Sequence, residues 1–366
     1  NTTRALGKYV LVKTGYGIVV LFGVVTVIFF LFTVLPGDPA QMMLGQREDE
    51  EQLQNVRAKY GFDLPLWKQY AYYVNDLSPL SIHSTSDESK MNFLSEEKYT
   101  YTSLFAIGKS KLVIKKPYMR ESFQKTGTPV SRLIGETLPN TTVLAISAIL
   151  IAFVIGIVLG VASALTANSW IDRVIGLVST LGMSVPSFFS AILMAWIFGY
   201  VLSEFTGLEM TGTLYEVDDF GEHRYIAWKN LILPAVTLGI RPLAVITQLT
   251  RNSLLDVMKS DYMRTATAKG LSPFLTTFRH GLRNSLNPVI TATSGWFAGM
   301  LAGAVFVEFI FGWNGLGKLI VDALNNLDLP IVMGSVITIA SIFVLINITV
   351  DILYGIADPR IRISSK

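Results

Sequence analysis

Asp261–Thr291, DYMRTATAKGLSPFLTTFRHGLRNSLNPVIT, is a polar, basic stretch between two apolar runs long enough to cross a membrane. A chain embedded in lipid has little reason to keep such a loop unless something binds it. The spacing predicts two helices joined by a sharp elbow. The first is expected to end at Gly270, because glycine reaches the left-handed turn after a helix without steric cost. Ser272 can cap the free amides of the second, with Pro273 at its first position. Leu275, Phe278, Leu282 and Leu286 then recur at helical steps and form one apolar face, while Arg279, His280 and Arg283 take others. Pro288 is expected where the chain turns into the next apolar run.

Outward from the loop, the composition points to a bilayer. Of 366 residues 51% are hydrophobic and only 16% charged, against about a quarter charged in soluble domains. A net charge of +3 is too small to imply nucleic acid, and the absence of cysteine excludes disulfide, thiolate-metal and cysteine-nucleophile chemistry. A span needs about 20 apolar residues. Six runs qualify: Gly15–Leu35, Thr142–Leu165, Val174–Leu202, Leu231–Leu249, Pro288–Phe311 and Ile331–Leu353. Pro186 interrupts the third, and Arg241-Pro242 the fourth. The first lacks a small-residue cleavage site and is expected to be retained.

Lysine and arginine set the expected orientation. Arg4, Lys8 and Lys13 precede the first run, and Arg173 follows the second. The loop after the fourth carries Arg251, Lys259, Arg264, Lys269, Arg279 and Arg283, and Arg360, Arg362 and Lys366 follow the sixth. The loop at 203–229 is acidic. Both termini and the loop at 253–287 are therefore expected in the cytoplasm. The chain is expected to divide into a terminus with the first span (1–35), an extracytoplasmic α+β insertion (36–138) and a five-helix core (139–366). Within the insertion, Glu48–Val74 has helical spacing, Ser78–Lys98 reads as loop, and Tyr99–Ile107 and Lys111–Met119 read as strands.

Chemical motifs fail on inspection. Gly108-Lys109-Ser110 lacks the earlier glycine of a phosphate loop, which would stand where Ser103 is. Gly312–Gly317, GWNGLG, lacks dinucleotide-loop spacing and reads as an extracytoplasmic turn. His83, His223 and His280 have no metal-ligand spacing. Asn140-Thr141-Thr142 matches a glycosylation acceptor but abuts a span.

Taken together, Tyr262–Leu271 (YMRTATAKGL), Arg279-His280 and Arg283-Asn284 resemble the cytoplasmic "EAA" loop of ABC importer permeases, in the version of the dipeptide/oligopeptide/nickel group. The resemblance continues in Leu35-Pro36-Gly37-Asp38-Pro39, Tyr60-Gly61 to Pro65, Gln248–Arg251, Glu308–Gly317, Leu329-Pro330 and Val350-Asp351 to Arg362. It covers nearly the whole chain except about 78–125, and its first-span signature resembles the B-type permease. Arg264, Thr265 and Ala266 stand where the generic loop has glutamate and two alanines. The insertion is longer than the family pattern.

The resemblance implies an all-α membrane protein with six transmembrane helices of the type I ABC importer permease fold, in a bacterial inner membrane. It implies no catalytic residue, no metal and no cofactor on this chain. ATP and magnesium would be used by two cytoplasmic ATPase subunits, alongside a second homologous permease and an extracytoplasmic binding protein that delivers peptides. Ala266 and Gly270 would permit close approach to the ATPase, Tyr262 and Leu271 would anchor, and Arg264, Lys269, Arg279 and Arg283 would meet acidic groups. The bland reading of those cations is that they only set topology. Charges within spans are costly, which marks Arg241 and Glu308 as pathway or gate candidates. Pro186 would permit a kink, and Asp351 would hold basic residues. Nickel or another small solute is an alternative cargo. A stand-alone secondary transporter would need inverted repeats or midplane carboxylates, which are not visible.

Overall fold

The computed structural model describes residues 2–34, 39–44, 50–86, 91–96, 98–218, 220 and 223–357. The family-like stretches 35–38 and 358–362 lie outside them. In chain order, α1 (Thr2–Val34), α2 (Pro39–Leu44), α3 (Glu50–Tyr60) and α4 (Leu66–Leu77) precede strands β1 (Leu80–Ser84), β2 (Tyr101–Ile107) and β3 (Ser110–Lys115). Then come α5 (Val130–Leu165), α6 (Trp170–Ser184), α7 (Ser187–Trp196), a π-helical turn (Ile197–Val201) and α8 (Ser203–Thr206). Strands β4 (Tyr215–Val217) and β5 (Arg224–Ile226) lead to α9 (Lys229–Met258), α10 (Asp261–Ala268) and α11 (Pro273–Leu275). A second π-helical segment (Thr276–Leu282) runs into α12 (Arg283–Gly303), followed by α13 (Val305–Ile310), α14 (Leu316–Asn325) and α15 (Leu329–Ala357).

Among the described residues, four helices are long and apolar enough to cross a membrane: Tyr9–Thr33, Val130–Leu165, Lys229–Met258 and Leu329–Ile352. A fifth joins them if α6 and the helical run Ser187–Val201 count as one broken span. The third expected run is thus not one kinked helix but two, meeting at 110°. The cause is local. Pro186 offers no amide, and Val185 and Pro186 are both extended, with ψ of 131° and 140°. The second run starts earlier than expected, at Val130, because its first turns are helical but polar. The fifth run is helical, breaks at Ala304, and carries Arg283, Asn284, Asn287 and Thr291 in its early turns. It is not among the four.

Contacts divide the chain into two compact units. One comprises Asn1–Thr14, Thr137–Val321 and Ile342–Lys366. Here α9 packs against α6, α7, α12 and α13, and its core joins Leu144 and Ala148 of α5, Ala191 and Ala195 of α7, Leu233 and Leu238 of α9, and Met300 of α12. Small residues let backbones meet, as expected where lipid supplies no hydrophobic drive between helices. A Cβ on Gly160 of α5 would lie 2.5 Å from Thr250 Cβ and 2.7 Å from the Thr247 carbonyl oxygen of α9. Lys13 and Asp351 pair at 2.6 Å, as the sequence implied for Asp351.

The other unit comprises Gly15–Glu136 and Asp322–Ser341. Its antiparallel sheet has the order β1-β3-β2, with Leu80 opposite Ile114 and Tyr101 opposite Lys115. β2 and β3 fall where strands were expected, whereas β1 lies in the stretch read as loop. Its alternation is inverted: Ser81, His83 and Ser84 are buried, and Leu80 and Ile82 face out. His83 is fully buried between Ser81 Oγ (3.0 Å) and the Asn92 carbonyl (3.2 Å). Asp328 ties this unit's segments together, accepting from the Phe123 and Gln124 amides at 3.0 and 3.2 Å and from Ser122 Oγ.

Candidate functional site

The elbow forms as its sequence requires. α10 ends at Ala268, and Gly270 takes φ +81°, the left-handed turn that stops the helix. Ser272 Oγ accepts the Leu275 amide at 3.3 Å, and Pro273 occupies the first position of the next helix. α10 turns Met263 and Ala266 inward, and Tyr262, Arg264, Thr265, Lys269 and Gly270 outward, with Leu271 half-buried. Ala266 is only 8% exposed, so the close approach expected at this position is to the chain's own helices.

The second helix departs from expectation. It is π-helical over Thr276–Leu282, which spends one extra residue and rotates the faces. Thr276, Thr277, Gly281 and Ser285 are buried, while Leu275 and Phe278 of the expected apolar stripe are exposed. Gly281 allows this, since a Cβ there would meet Leu254 Cδ1 at 3.1 Å and Met263 Cε at 3.4 Å. Pro288 does not mark a turn; it lies within α12, which continues the π segment without a break. The exposed side therefore carries the ring pair Phe274–Phe278 (centroids 4.5 Å apart) beside Arg279 and Arg283. Asn284 Nδ2 donates to the Tyr262 hydroxyl at 3.3 Å, tying the two limbs.

Behind the elbow stands a pair that the sequence reading did not single out. Arg251 of α9 donates from Nε and Nη2 to the two oxygens of Asp172, at 2.7 and 2.8 Å. Ser163 Oγ and the Asn168 amide complete the carboxylate's set. The pair fixes the α5–α6 turn to the end of α9 that leads into α10. Its only sequence signal is Ser169-Trp170-Ile171-Asp172, a capping pattern in which Ser169 also accepts the Asp172 amide.

The pathway candidates do not form one cluster. Arg241 lines a cavity of about 220 Å³ with Ser187, next to Pro186, and with Thr237, Trp296 and Met300. No ion pair engages Arg241 among the described residues. Glu308 is elsewhere and fully buried, accepting the Gly317 and Lys318 amides at 2.6 and 3.2 Å at the start of α14. It holds the glycine-rich turn, as does α5: Trp313 Nε1 donates to the Asn140 carbonyl at 3.1 Å, and Asn140 Nδ2 to the Asn314 carbonyl at 2.7 Å. An Asn140 amide so engaged and buried is no glycosylation acceptor.

Comparison with known proteins gives the family. The family model for the inner membrane component of binding-protein-dependent transport systems matches residues 154–363. The model of the N-terminal part of such membrane components matches residues 6–89. The dipeptide transport system permease protein of Alkalihalophilus pseudofirmus is 32% identical, over 94% of this chain and 96% of that protein. The di/tripeptide transport system permease protein of Pseudomonas aeruginosa is 33% identical over 96% and 97%. A dipeptide permease of Lactococcus lactis is 31% identical over 97% and 99%. The elbow and the buried turn both lie within the first match, and the chain belongs to the family of inner membrane components of binding-protein-dependent transport systems.

Proposed function

We propose that this chain is the permease subunit of an ATP-driven importer and forms half of a pathway for di- or oligopeptides delivered by an extracytoplasmic binding protein. It has six spans, the sixth element being the α12–α13 run at 288–311, with both termini in the cytoplasm and the insertion at 36–138 outside. A second, homologous permease completes the pathway. Two cytoplasmic ATPases bind ATP and magnesium and grip the elbow.

The elbow carries this reading. Met263 and Ala266 seat α10 on the chain's own helices, while Tyr262, Arg264, Thr265, Lys269, Arg279 and Arg283 stay exposed. Phe274 and Phe278 add an apolar anchor of the kind that dominates docking surfaces. The Asp172–Arg251 pair makes the base stiff, so a push on α10 passes into α9 and α12 rather than being absorbed. The peptide cargo is supported by near-full-length relatives named as peptide permeases.

The test uses the reconstituted importer with its ATPases and binding protein. A Cβ at Gly270 would meet nothing within 4 Å, but any side chain there is strained at φ +81°, so Gly270→Asp needs a control that shares the strain and not the charge. The variant should insert normally yet lose substrate-stimulated ATP hydrolysis and transport. Gly270→Asn, which tolerates the left-handed turn without adding charge, should retain most coupling. Normal stimulation in Gly270→Asp would sink the assignment.

A further inference from the structure

The unit formed by Gly15–Glu136 and Asp322–Ser341 contains a cavity of about 310 Å³ that the transport reading leaves unused. Its wall carries Asp76, Lys98, Arg120 and Glu121, and of these Arg120 pairs with Asp76. The Lys98 ammonium lies over the rings of Tyr99 and Tyr118, at 5.2 and 5.1 Å, and pairs with no carboxylate among the described residues. The Glu121 side chain likewise makes no ion pair or hydrogen bond among them. Glu121 lines the cavity together with Tyr60 and Tyr118, and after burial its charge helps hold both phenols above their ordinary range.

Arg120 adds a third group. Its backbone has φ +64°, a conformation uncommon outside glycine. It is held there by the Val130 amide, which donates to the Arg120 carbonyl at 3.0 Å. Nε donates to Asp76 at 3.3 Å and the guanidinium covers the Tyr73 ring at 5.3 Å, but Nη2 is buried with no partner. The half-enclosed Lys98 ammonium and Glu121 carboxylate each lose hydration, and among the described residues no ion pair repays that loss. One ligand with an anionic and a cationic end repays it at both. The volume sits at the small end of ligand pockets, roughly 300–1,000 Å³.

We propose that this cavity binds a small zwitterion, an amino acid or short unblocked peptide, with its carboxylate on Lys98, its ammonium on Glu121, and its side chain against Tyr60 and Tyr118. The site belongs to this chain alone and does not depend on the transport reading.

The experiment is calorimetric titration of the purified full-length chain, without ATPases or binding protein, using Ala-Ala, N-acetyl-Ala-Ala, Ala-Ala amide and O-phosphoethanolamine. Ala-Ala should bind, and each blocked form should bind about tenfold more weakly or worse, the loss of one charged contact. Lys98→Met and Glu121→Gln should each weaken Ala-Ala by about the same factor with the melting temperature no lower than that of wild type. Lys229→Gln, in the other unit, should bind as wild type. The proposal is overturned if Ala-Ala does not bind at millimolar concentration, or binds no tighter than its blocked forms. It is overturned equally if the Lys98→Met/Glu121→Gln double variant binds normally, if Lys229→Gln abolishes binding, or if phosphoethanolamine binds more tightly, which would make the site one for a lipid headgroup.

Discussion

Asp172 does more than any residue that the loop pattern singles out. Its two oxygens take the guanidinium of Arg251, one hydroxyl and one backbone amide. Removing one partner of such a buried pair strands the other charge, at about 3–5 kcal/mol when both are enclosed. Arg251 keeps 29% of its side-chain exposure, which screens part of that, so Asp172→Ala should cost about 2–3 kcal/mol. Replacing both, as Asp172→Ala with Arg251→Met, should recover much of the loss because no charge is left unpaired. Thermal unfolding of the four proteins in detergent gives the answer; a double variant as unstable as the sum of the singles would show that the residues act independently. Residue-level reading found Gly270 and Ser272 because each has a local backbone task. It missed Asp172 because its partner is 79 positions away, and no local pattern announces that distance.

At the scale of elements, the sheet of the insertion shows how burial becomes pH dependence. Burial, only partly offset by the Asp76 charge, pushes the Lys115 ammonium down to about 8. Lys98 is lowered for the same first cause. Burial also raises Tyr73, Tyr99 and Tyr118. The signs follow from which state binds more protons. Between about pH 8 and the ordinary lysine range the unfolded chain holds the extra proton, so stability rises with pH there. Above about pH 10 the unfolded tyrosines lose protons that the folded ones keep, so stability falls. Melting of the intact protein between pH 7 and 11 should pass through a maximum near the crossover, and Lys115→Met should flatten the rising limb; an unchanged rise would remove Lys115 as its cause. The same elements show where periodicity misleads. β1 buries its polar residues because His83 and Ser81 bond each other and Asn92, so an apolar template places it in a loop. The π segment adds one residue per turn and exposes Phe278, which a 3.6-residue period assigns to the inner face.

For the whole molecule, composition and the spacing of apolar runs made the membrane protein legible, since long lipid-facing helices must be apolar along their length. They left the breaks illegible: Pro186 reads equally as a kink or a corner, and the 110° turn depends on what the two helices pack against. Arg241 shows the same limit and carries a consequence for the assembled importer. A cation in a span costs about 2.5–3.5 kcal/mol unless it is satisfied. Here it borders a cavity beside Ser187, Thr237 and Trp296, with no ion pair among the described residues. We propose that the carboxylate of a passing peptide satisfies it, through a charge-assisted bond worth about 1.5–3 kcal/mol. Reconstituted importer with Arg241→Gln should therefore move a peptide with a free carboxyl terminus about tenfold more slowly or worse. It should move the amidated peptide as fast as wild type does, with basal ATP hydrolysis unchanged. Equal loss for both peptides would make Arg241 a support for neighbouring helices, since a structural strut has no way to sense the charge on its cargo.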